Sequence, residues 1–254
     1  MDAVTRDRFI RGDGTAADDW RGDAALAGVA PARADELVPP GARLVVVAPH
    51  PDDEILACGG LLQLAAARAR APLLVAVTDG EASHPGSLAW PVEKLRAARP
   101  QETLAALACL GIATLDLQRI GIADGGVTAA EAQLAGRLAS LLGPGDVVVT
   151  TWRYDGHPDH EATARACLAA AAQCGTRVLQ APVWGWHWSA PGDGAMPLAG
   201  ARKLALPAAV QARKRAAMAC FTSQVLPDTS RGAAPVVPEH ALERVLLPFE
   251  LYFT

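Results

Sequence analysis

Cysteine is scarce and unpatterned in this chain. Cys58, Cys109, Cys167, Cys174 and Cys220 are scattered, odd in number, and form no C-x-x-C pair. That argues against a disulfide framework or a cysteine zinc site, and for reduced, mostly buried thiols in a cytoplasmic protein. Also missing is an apolar run long enough to span a bilayer, because Arg, Gln or Glu interrupts the Ala-rich segments at helical intervals. The N-terminus begins Met-Asp and meets several charges before any apolar core, which does not fit a signal peptide. The formal charge is only -4, so electrostatics give no reason to expect nucleic acid or an anionic membrane as partner. No internal repeat or low-complexity segment is present. What remains is a chain of 254 residues, about half of them apolar, that can bury a full core.

The most informative stretch is Val45-Val46-Val47-Ala48-Pro49-His50-Pro51-Asp52-Asp53-Glu54. Arg43 to Val47 is apolar and β-branched, as suits a buried parallel strand. The two prolines take the chain out of the sheet directly afterwards, since neither can donate a backbone hydrogen bond. Ile55 to Arg70 has apolar residues at helical spacing. The polar turn therefore lies between a strand's carboxyl end and a helix, where ligands bind in open α/β sheets. Clustered carboxylates repel unless something positive lies among them, and a divalent metal is the simplest candidate.

Along the chain, residues 1–40 mix Asp, Arg, Gly and Ala with little periodicity and read as an N-terminal extension with one or two short helices. Residues 41–254 are expected to form a single domain. There, strand 43–48, helix 55–69, strand 73–78, helix 92–110, strand 113–117, helix 129–142, strand 146–151, helix 160–174 and strand 177–182 alternate. Gly111 suits a helix C-terminus, and Thr128 with Glu131 suggests a capping box. Such alternation implies right-handed crossovers and a Rossmann-like, three-layer α/β fold with a mostly parallel sheet. Beyond residue 190, a Pro/Gly-rich loop leads to strand 202–206 and helix 207–220. The tail 235–254 reads as one or two strands. Trp184, Trp186 and Trp188 alternate with period two, so in an extended segment they share one face, either in the core or as a rim for a sugar ring or lipid chain.

A second polar cluster, His157-Pro158-Asp159-His160, follows the fourth strand as His50 to Glu54 follows the first. In a parallel sheet both ends lie on one edge, so the clusters can share a crevice. Imidazole and carboxylate together suit Zn²⁺, and an open position on the ion suits hydrolysis. A nearby carboxylate can move the proton, and a second imidazole can stabilise an oxyanion. Glu54 could orient an imidazole or a backbone amide, or simply complement the helix dipole. Asp159 could be a helix cap. His84, His187 and His240, each alone in its segment, read first as ordinary surface or core histidines.

Pro49-His50-Pro51-Asp52-Asp53-Glu54, followed by Cys58-Gly59-Gly60, resembles the A-H-P-D-D-E signature of the LmbE-like (PIG-L) N-acetylglucosaminyl deacetylases. Thr78-Asp79-Gly80-Glu81, Arg99-x-x-Glu102, Ile122-x-Asp124-Gly125, Asp155-Gly156-His157-Pro158-Asp159-His160 and Ser223-Gln224 follow that family's order. The resemblance implies one Zn²⁺ per chain, other divalent ions being acceptable, held by His50, Asp53 and His160. It implies Asp52 as general base and then acid, and His157 as electrostatic partner of the tetrahedral intermediate. Arg99 and Asp124 match positions that look like sugar contacts, and Tyr154 matches a tyrosine found near the second motif, here separated from His157 by Asp155 and Gly156. Pro49 stands where the family has alanine.

The activity so implied is hydrolysis of an N-acetyl or N-acyl group from an amino sugar or glycoconjugate, with a small sugar conjugate as partner and neither nucleic acid nor membrane. A homo-oligomer would give the aromatic segment a use at a crevice between subunits. Two rivals remain open on these residues. One is a zinc-dependent hydratase or lyase acting on a carboxylate-rich small molecule, for which Arg153 beside the second motif speaks. The other is a metal-binding module without catalysis, against which Asp52 and His157 count.

Overall fold

The β-branched runs 45–47 and 147–151 lie in two inner strands of one sheet, which among the described residues has eight strands. They are β1 (Pro31–Ala32), β2 (Arg43–Ala48), β3 (Arg70–Ala76), β4 (Asp116–Arg119), β5 (Asp146–Thr151), β6 (Arg177–Ala181), β7 (Ala201–Ala205) and β8 (Phe249–Phe253). The computed structural model describes residues 8–66, 70–112 and 114–254. The strand order is β1-β7-β8-β6-β5-β2-β3-β4. All pairings are parallel except those of β8 with β6 and β7. The fold is thus α/β with a mostly parallel, open sheet, as the alternation of elements predicts.

Successive side chains on a strand face opposite sides of the sheet, and the core divides accordingly. Leu44, Val46 and Ala48 pack on one face with Ile55, Leu61 and Leu62 of the helix Asp53–Ala66 and with Ala217 and Met218. Val45 and Val47 pack on the other with Leu134 and Leu138 of the helix Glu131–Leu141 and with Ala162, Ala166 and Ala170 of the helix Pro158–Cys174. Because β2 and β5 are adjacent at the centre, the two polar motifs that follow them emerge side by side. Covering both faces is what lets these strands be apolar almost throughout.

Several local expectations need correction. The first-motif helix starts at Asp53, so two motif carboxylates lie in its first turn; its expected end at 67–69 lies outside the described residues. The last helix before β6 starts at Pro158, since proline suits a first helical turn. The strand expected at 113–117 is Asp116–Arg119, and Ala113 lies outside the described residues. Thr128 does not cap the next helix, which begins at Glu131 with no side-chain cap. The Glu131 carboxylate instead accepts two hydrogen bonds from Arg165. The tail forms the helix Glu239–Val245 before β8.

The tryptophan segment is not extended, because Gly185–Trp188 is a single helical turn. At that turn's spacing the rings diverge. Trp186 is buried edge-on against Trp20, with ring centroids 5.2 Å apart, and Trp188 stacks on Trp152. Of the five cysteines, Cys58 and Cys167 are buried, while Cys109 is exposed and Cys174 and Cys220 are partly so. The thiols are therefore free, as expected, but less buried than expected.

The helix Asp53–Ala66 is broken at Cys58, whose φ of -150° and ψ of 21° are not helical. A break creates orphan donors on one side and orphan acceptors on the other. Glu250 on β8 accepts from the N–H groups of Gly60 (2.7 Å) and Leu61 (2.8 Å), and Nζ of Lys214 donates to the carbonyl of Leu56 (3.0 Å). Lys214 also donates to Glu250 at 2.7 Å, and the Tyr252 hydroxyl donates to the other carboxylate oxygen. All three side chains are buried. A Cβ on Gly60 would come within 3.0 Å of the Glu250 carboxylate and closer still to Leu206, so only glycine lets this cap approach.

Removing one member of a buried ion pair leaves the other uncompensated. Lys214→Met should therefore lower stability in urea unfolding by about 3–5 kcal/mol, and adding Glu250→Gln should restore part of the loss. A single variant as stable as the parent would mean that the pair does not hold the break.

Candidate metal centre

The turn after β2 is anchored from the neighbouring strand: the Thr78 backbone N–H and hydroxyl both donate to the carbonyl of Pro49. Inside the turn, Asp52 has φ of +127°, the one non-glycine residue with positive φ among the described residues. Such a conformation costs on the order of 1–3 kcal/mol and persists only where its surroundings impose it. Here the imposing contacts are visible. The Glu54 carboxylate accepts from the Asp52 N–H at 3.0 Å, and the Asp52 carbonyl accepts from the N–H groups of Ile55 and Leu56 at 2.9 Å each. The turn therefore presents Asp52 and Asp53 in different directions.

Asp53 meets the second motif. Its Oδ2 accepts from the backbone N–H of His50 (3.0 Å) and lies 3.3 Å from His50 Nδ1 and 3.2 Å from His160 Nε2. The far nitrogen of each imidazole already faces carboxylate. His160 Nδ1 is 2.8 Å from Asp155, and His50 Nε2 is 3.2 Å from Asp124 and 3.4 Å from Asp159. A carboxylate accepts and an imidazole N–H donates, so those far nitrogens carry the protons. In the neutral imidazoles the nitrogens facing Asp53 are then lone pairs, set against a carboxylate oxygen. Such an arrangement is repulsive unless a cation stands among the three.

The protonation equilibria express the same demand. Burial lowers the pKa of both imidazoles, yet the surrounding carboxylates outweigh it, holding His50 well above its ordinary value and His160 up to about 9. Burial would raise Asp53, but His160 and His50 hold it well below the usual carboxylate range. One divalent ion would take the place of the two extra protons. The donor set of His50 Nδ1, Asp53 and His160 Nε2 therefore fits a metal, and its histidines have the carboxylate partners that commonly orient metal-bound imidazoles.

His157 stands with His50 and His160 in one cluster whose ligand nitrogens lie within 4.8 Å of one another, but it differs in its partners. Its Nδ1 accepts from the Asp159 backbone N–H (3.2 Å) at the start of the helix, which leaves the proton on Nε2. Burial, then His160 and His50, push it down to about 3, so it is a neutral donor. Its ring centroid is 4.8 Å from those of both His50 and His160.

Asp52 points to the other side. Burial raises it and Arg99 opposes; with Asp53 and Glu54 adding to the rise, it stands at about 8. Nη2 of Arg99 donates to Asp52 Oδ2 (3.1 Å) and to the carbonyl of Pro51, and Nη1 donates to the carbonyl of Gly80 (2.8 Å). Gly80 has φ of +65°, and a Cβ there would lie 1.8 Å from Nη1 of Arg99. Burial also raises Glu54, to about 7.

His50, Asp52, Asp53, Arg99, Asp124, His157 and His160 line one cavity of about 610 Å³, including its open mouth. Leu56, Trp184, Val236 and Val237 form its apolar wall, and Gln224 and Ser83 lie on its polar side. Tyr154, expected as a substrate contact, is not among the lining residues. Its ring packs on Trp152, with the guanidinium groups of Arg8 and Arg153 over it. Between Tyr154 and His157 lies Asp155, whose carboxylate accepts from the N–H groups of Val183, Trp184 and Gly185 as well as facing His160. Arg99 and Asp124 reach the cavity, where an Nη of Arg99 donates to Asp52 and an Asp124 oxygen faces His50, while the buried Nε of Arg99 has no hydrogen-bond partner. Sequence reasoning gave Asp155 no role and offered Asp159 only as a helix cap, whereas Asp159 accepts from the N–H groups of Gly125 and Val127 and faces His50. The signal for both was present, an aspartate two positions before and one between the motif histidines.

The comparison with curated proteins found no match. The family model for PIG-L, GlcNAc-PI de-N-acetylase, matches residues 45–171, half of the chain and including both histidine motifs. A solved structure of a conserved protein from Thermus thermophilus is similar at 27% identity and a TM-score of 0.53, over 73% of this chain and 80% of that one. A deacetylase–teicoplanin complex from the teicoplanin biosynthesis pathway is similar at 20% identity and a TM-score of 0.59, over 71% and 86%. A pseudoaglycone deacetylase for an antimicrobial reagent is similar at 23% and 0.55, over 83% and 96%. The last two likenesses establish the shared fold.

Asp155→Asn keeps the size of the side chain but removes the charge that holds the His160 proton on Nδ1. Its affinity for Zn²⁺, read by competition with a chelating dye, should fall by about 10–100-fold while the fold is retained. An unchanged affinity would contradict this assignment of the tautomer.

Proposed function

The chain belongs to the PIG-L (GlcNAc-PI de-N-acetylase) family, and from that premise we propose that it is a zinc-dependent hydrolase. Its substrate would be an N-acetylated or N-acylated amino sugar, free or in a glycoconjugate, and its products a carboxylate and a free amine. The observation that carries this reading is the Asp53 oxygen facing two imidazole nitrogens beside a second, separately held carboxylate, Asp52. A site that only bound metal would have no use for Asp52 or for the N–H of His157.

His50, Asp53 and His160 would hold the ion, and two imidazoles with one carboxylate suit Zn²⁺ while accepting other divalent metals. When bound, Zn²⁺ supplies Lewis acidity, which polarises the amide carbonyl and acidifies a water molecule. Asp52 takes the proton of the attacking water and returns it to the departing nitrogen. Its place beside Arg99, on a strained turn, fixes where that proton is held. His157 donates its Nε2–H to the carbonyl oxygen as negative charge develops there. Arg99 acts on Asp52 rather than on a sugar hydroxyl. Asp124, one oxygen on His50 and the other on the Ala82 N–H, borders the cavity where substrate would lie. Trp184 in the cavity wall offers an apolar surface to a sugar face or an acyl group.

Amine release from a panel of N-acetylated glucosaminides, with Zn²⁺ restored and metal content measured, tests the proposal. His160→Ala should lose metal and activity together. Asp52→Ala should keep its metal and lose about 10²–10⁴-fold in kcat; a fully active Asp52→Ala would remove the assignment of the base. Bound metal with no amine from any substrate would favour the hydratase reading.

Displacing Arg99 without touching either motif gives an independent check. Gly80→Ala should keep its metal and lose up to about 10²-fold in kcat. A Gly80→Ala enzyme with unchanged kcat would mean that Arg99 does not position Asp52.

A further inference from the structure

Outside the site, two thiols from distant parts of the chain meet at the surface. Cys109 is the last residue of the helix Val92–Cys109, and Cys220 lies in the turn after the helix Ala208–Met218. They are 111 positions apart in sequence, yet their Sγ atoms are 3.5 Å apart, with Cys109 exposed and Cys220 partly so. A disulfide needs about 2.05 Å, so small side-chain rotations separate the dithiol from the bond. The geometry points to Cys109 and Cys220 as an oxidisable dithiol, a modification site for a small-molecule disulfide of the glutathione class.

The exposed Cys109 thiolate attacks one sulfur of the oxidant, forming a mixed disulfide and releasing one small thiolate. The Cys220 thiolate then attacks the Cys109 sulfur, closing the protein disulfide and releasing the second. Two electrons pass from the protein to the oxidant, and the two thiol protons end on the two released thiols. Burial and the neighbouring thiol push Cys220 up to about 11, so closure is slow at neutral pH and faster in alkali.

The bond would reinforce a junction that borders the cavity. On the same helix as Cys109, Glu102 accepts from the Thr222 hydroxyl, the Ser223 N–H and the Ser223 hydroxyl. Gln224 donates to that Ser223 oxygen and lines the cavity. Arg99 stands one turn before Glu102. Oxidation would thus pin the Gln224 wall to the helix that carries Arg99.

The test is incubation of the full chain with oxidised glutathione at mildly alkaline pH, followed by a thiol count in denaturant, peptide mapping without reductant, and thermal melting. The count should fall from five to three, the peptides of Cys109 and Cys220 should be joined, and Tm should rise by about 5–10 °C. Cys220→Ser should instead retain glutathione on Cys109, with no rise in Tm. Five thiols after oxidation, a joined peptide containing Cys174, or a Tm that is unchanged or lower in the oxidised protein would overturn the proposal. None of these readings depends on the deacetylase assignment.

Discussion

One carboxylate oxygen, Oδ2 of Asp53, governs how the rest of the site is built. It faces one nitrogen each of His50 and His160, and each of those rings is turned by carboxylate on its far side. Asp155 and Asp159 follow β5, Asp159 in the first turn of a helix, and Asp124 follows β4, so the site depends on the sheet bringing the carboxyl ends of several strands together. A cluster this rich in buried negative charge is costly without a compensating cation. The PIG-L family match spans both of the motifs that build this cluster.

Two distortions of ordinary backbone support the arrangement. The positive φ of Asp52 turns adjacent aspartates apart, one toward the imidazoles and the other toward Arg99. Four residues after Glu54 the helix breaks at Cys58, and Lys214 and Glu250 satisfy the backbone groups that the break exposes. The segment bearing Asp53, Glu54 and Leu56 is therefore a short piece held at both ends, by the strained turn and by a buried ion pair. Its position is set by partners on β3, β8 and two other helices rather than by helix propagation from its own sequence.

Much of this was legible in the order of residues alone. Apolar runs alternating with helical spacing made an α/β fold with a parallel sheet the expectation, and the two histidine motifs were seen to follow strands. The local misreadings share a cause. Thr128 had the spacing of a cap, but Glu131 found Arg165; the three tryptophans had the spacing of a strand, but the N–H groups of Val183, Trp184 and Gly185 turn onto Asp155 and begin a helical turn. In both places a side chain distant in sequence overrode the local pattern. Arg99, read from the sequence as a contact to substrate, does line the cavity, but its hydrogen-bond acceptors lie in turns after two different strands and could not be read locally.

Residue order was enough to specify which chemistry this protein can hold: the strands, the parallel edge on which two motifs must meet, and the imidazoles and carboxylates they carry. These follow from hydrophobic periodicity and residue identity, which are local properties. Three outcomes belong to the packed fold instead: which nitrogen of each imidazole bears its proton, which aspartate is left beside a guanidinium, and that Tyr154 stays out of the cavity. They depend on hydrogen-bond partners that are close in space but far apart along the chain, and such proximities exist only once the sheet has formed.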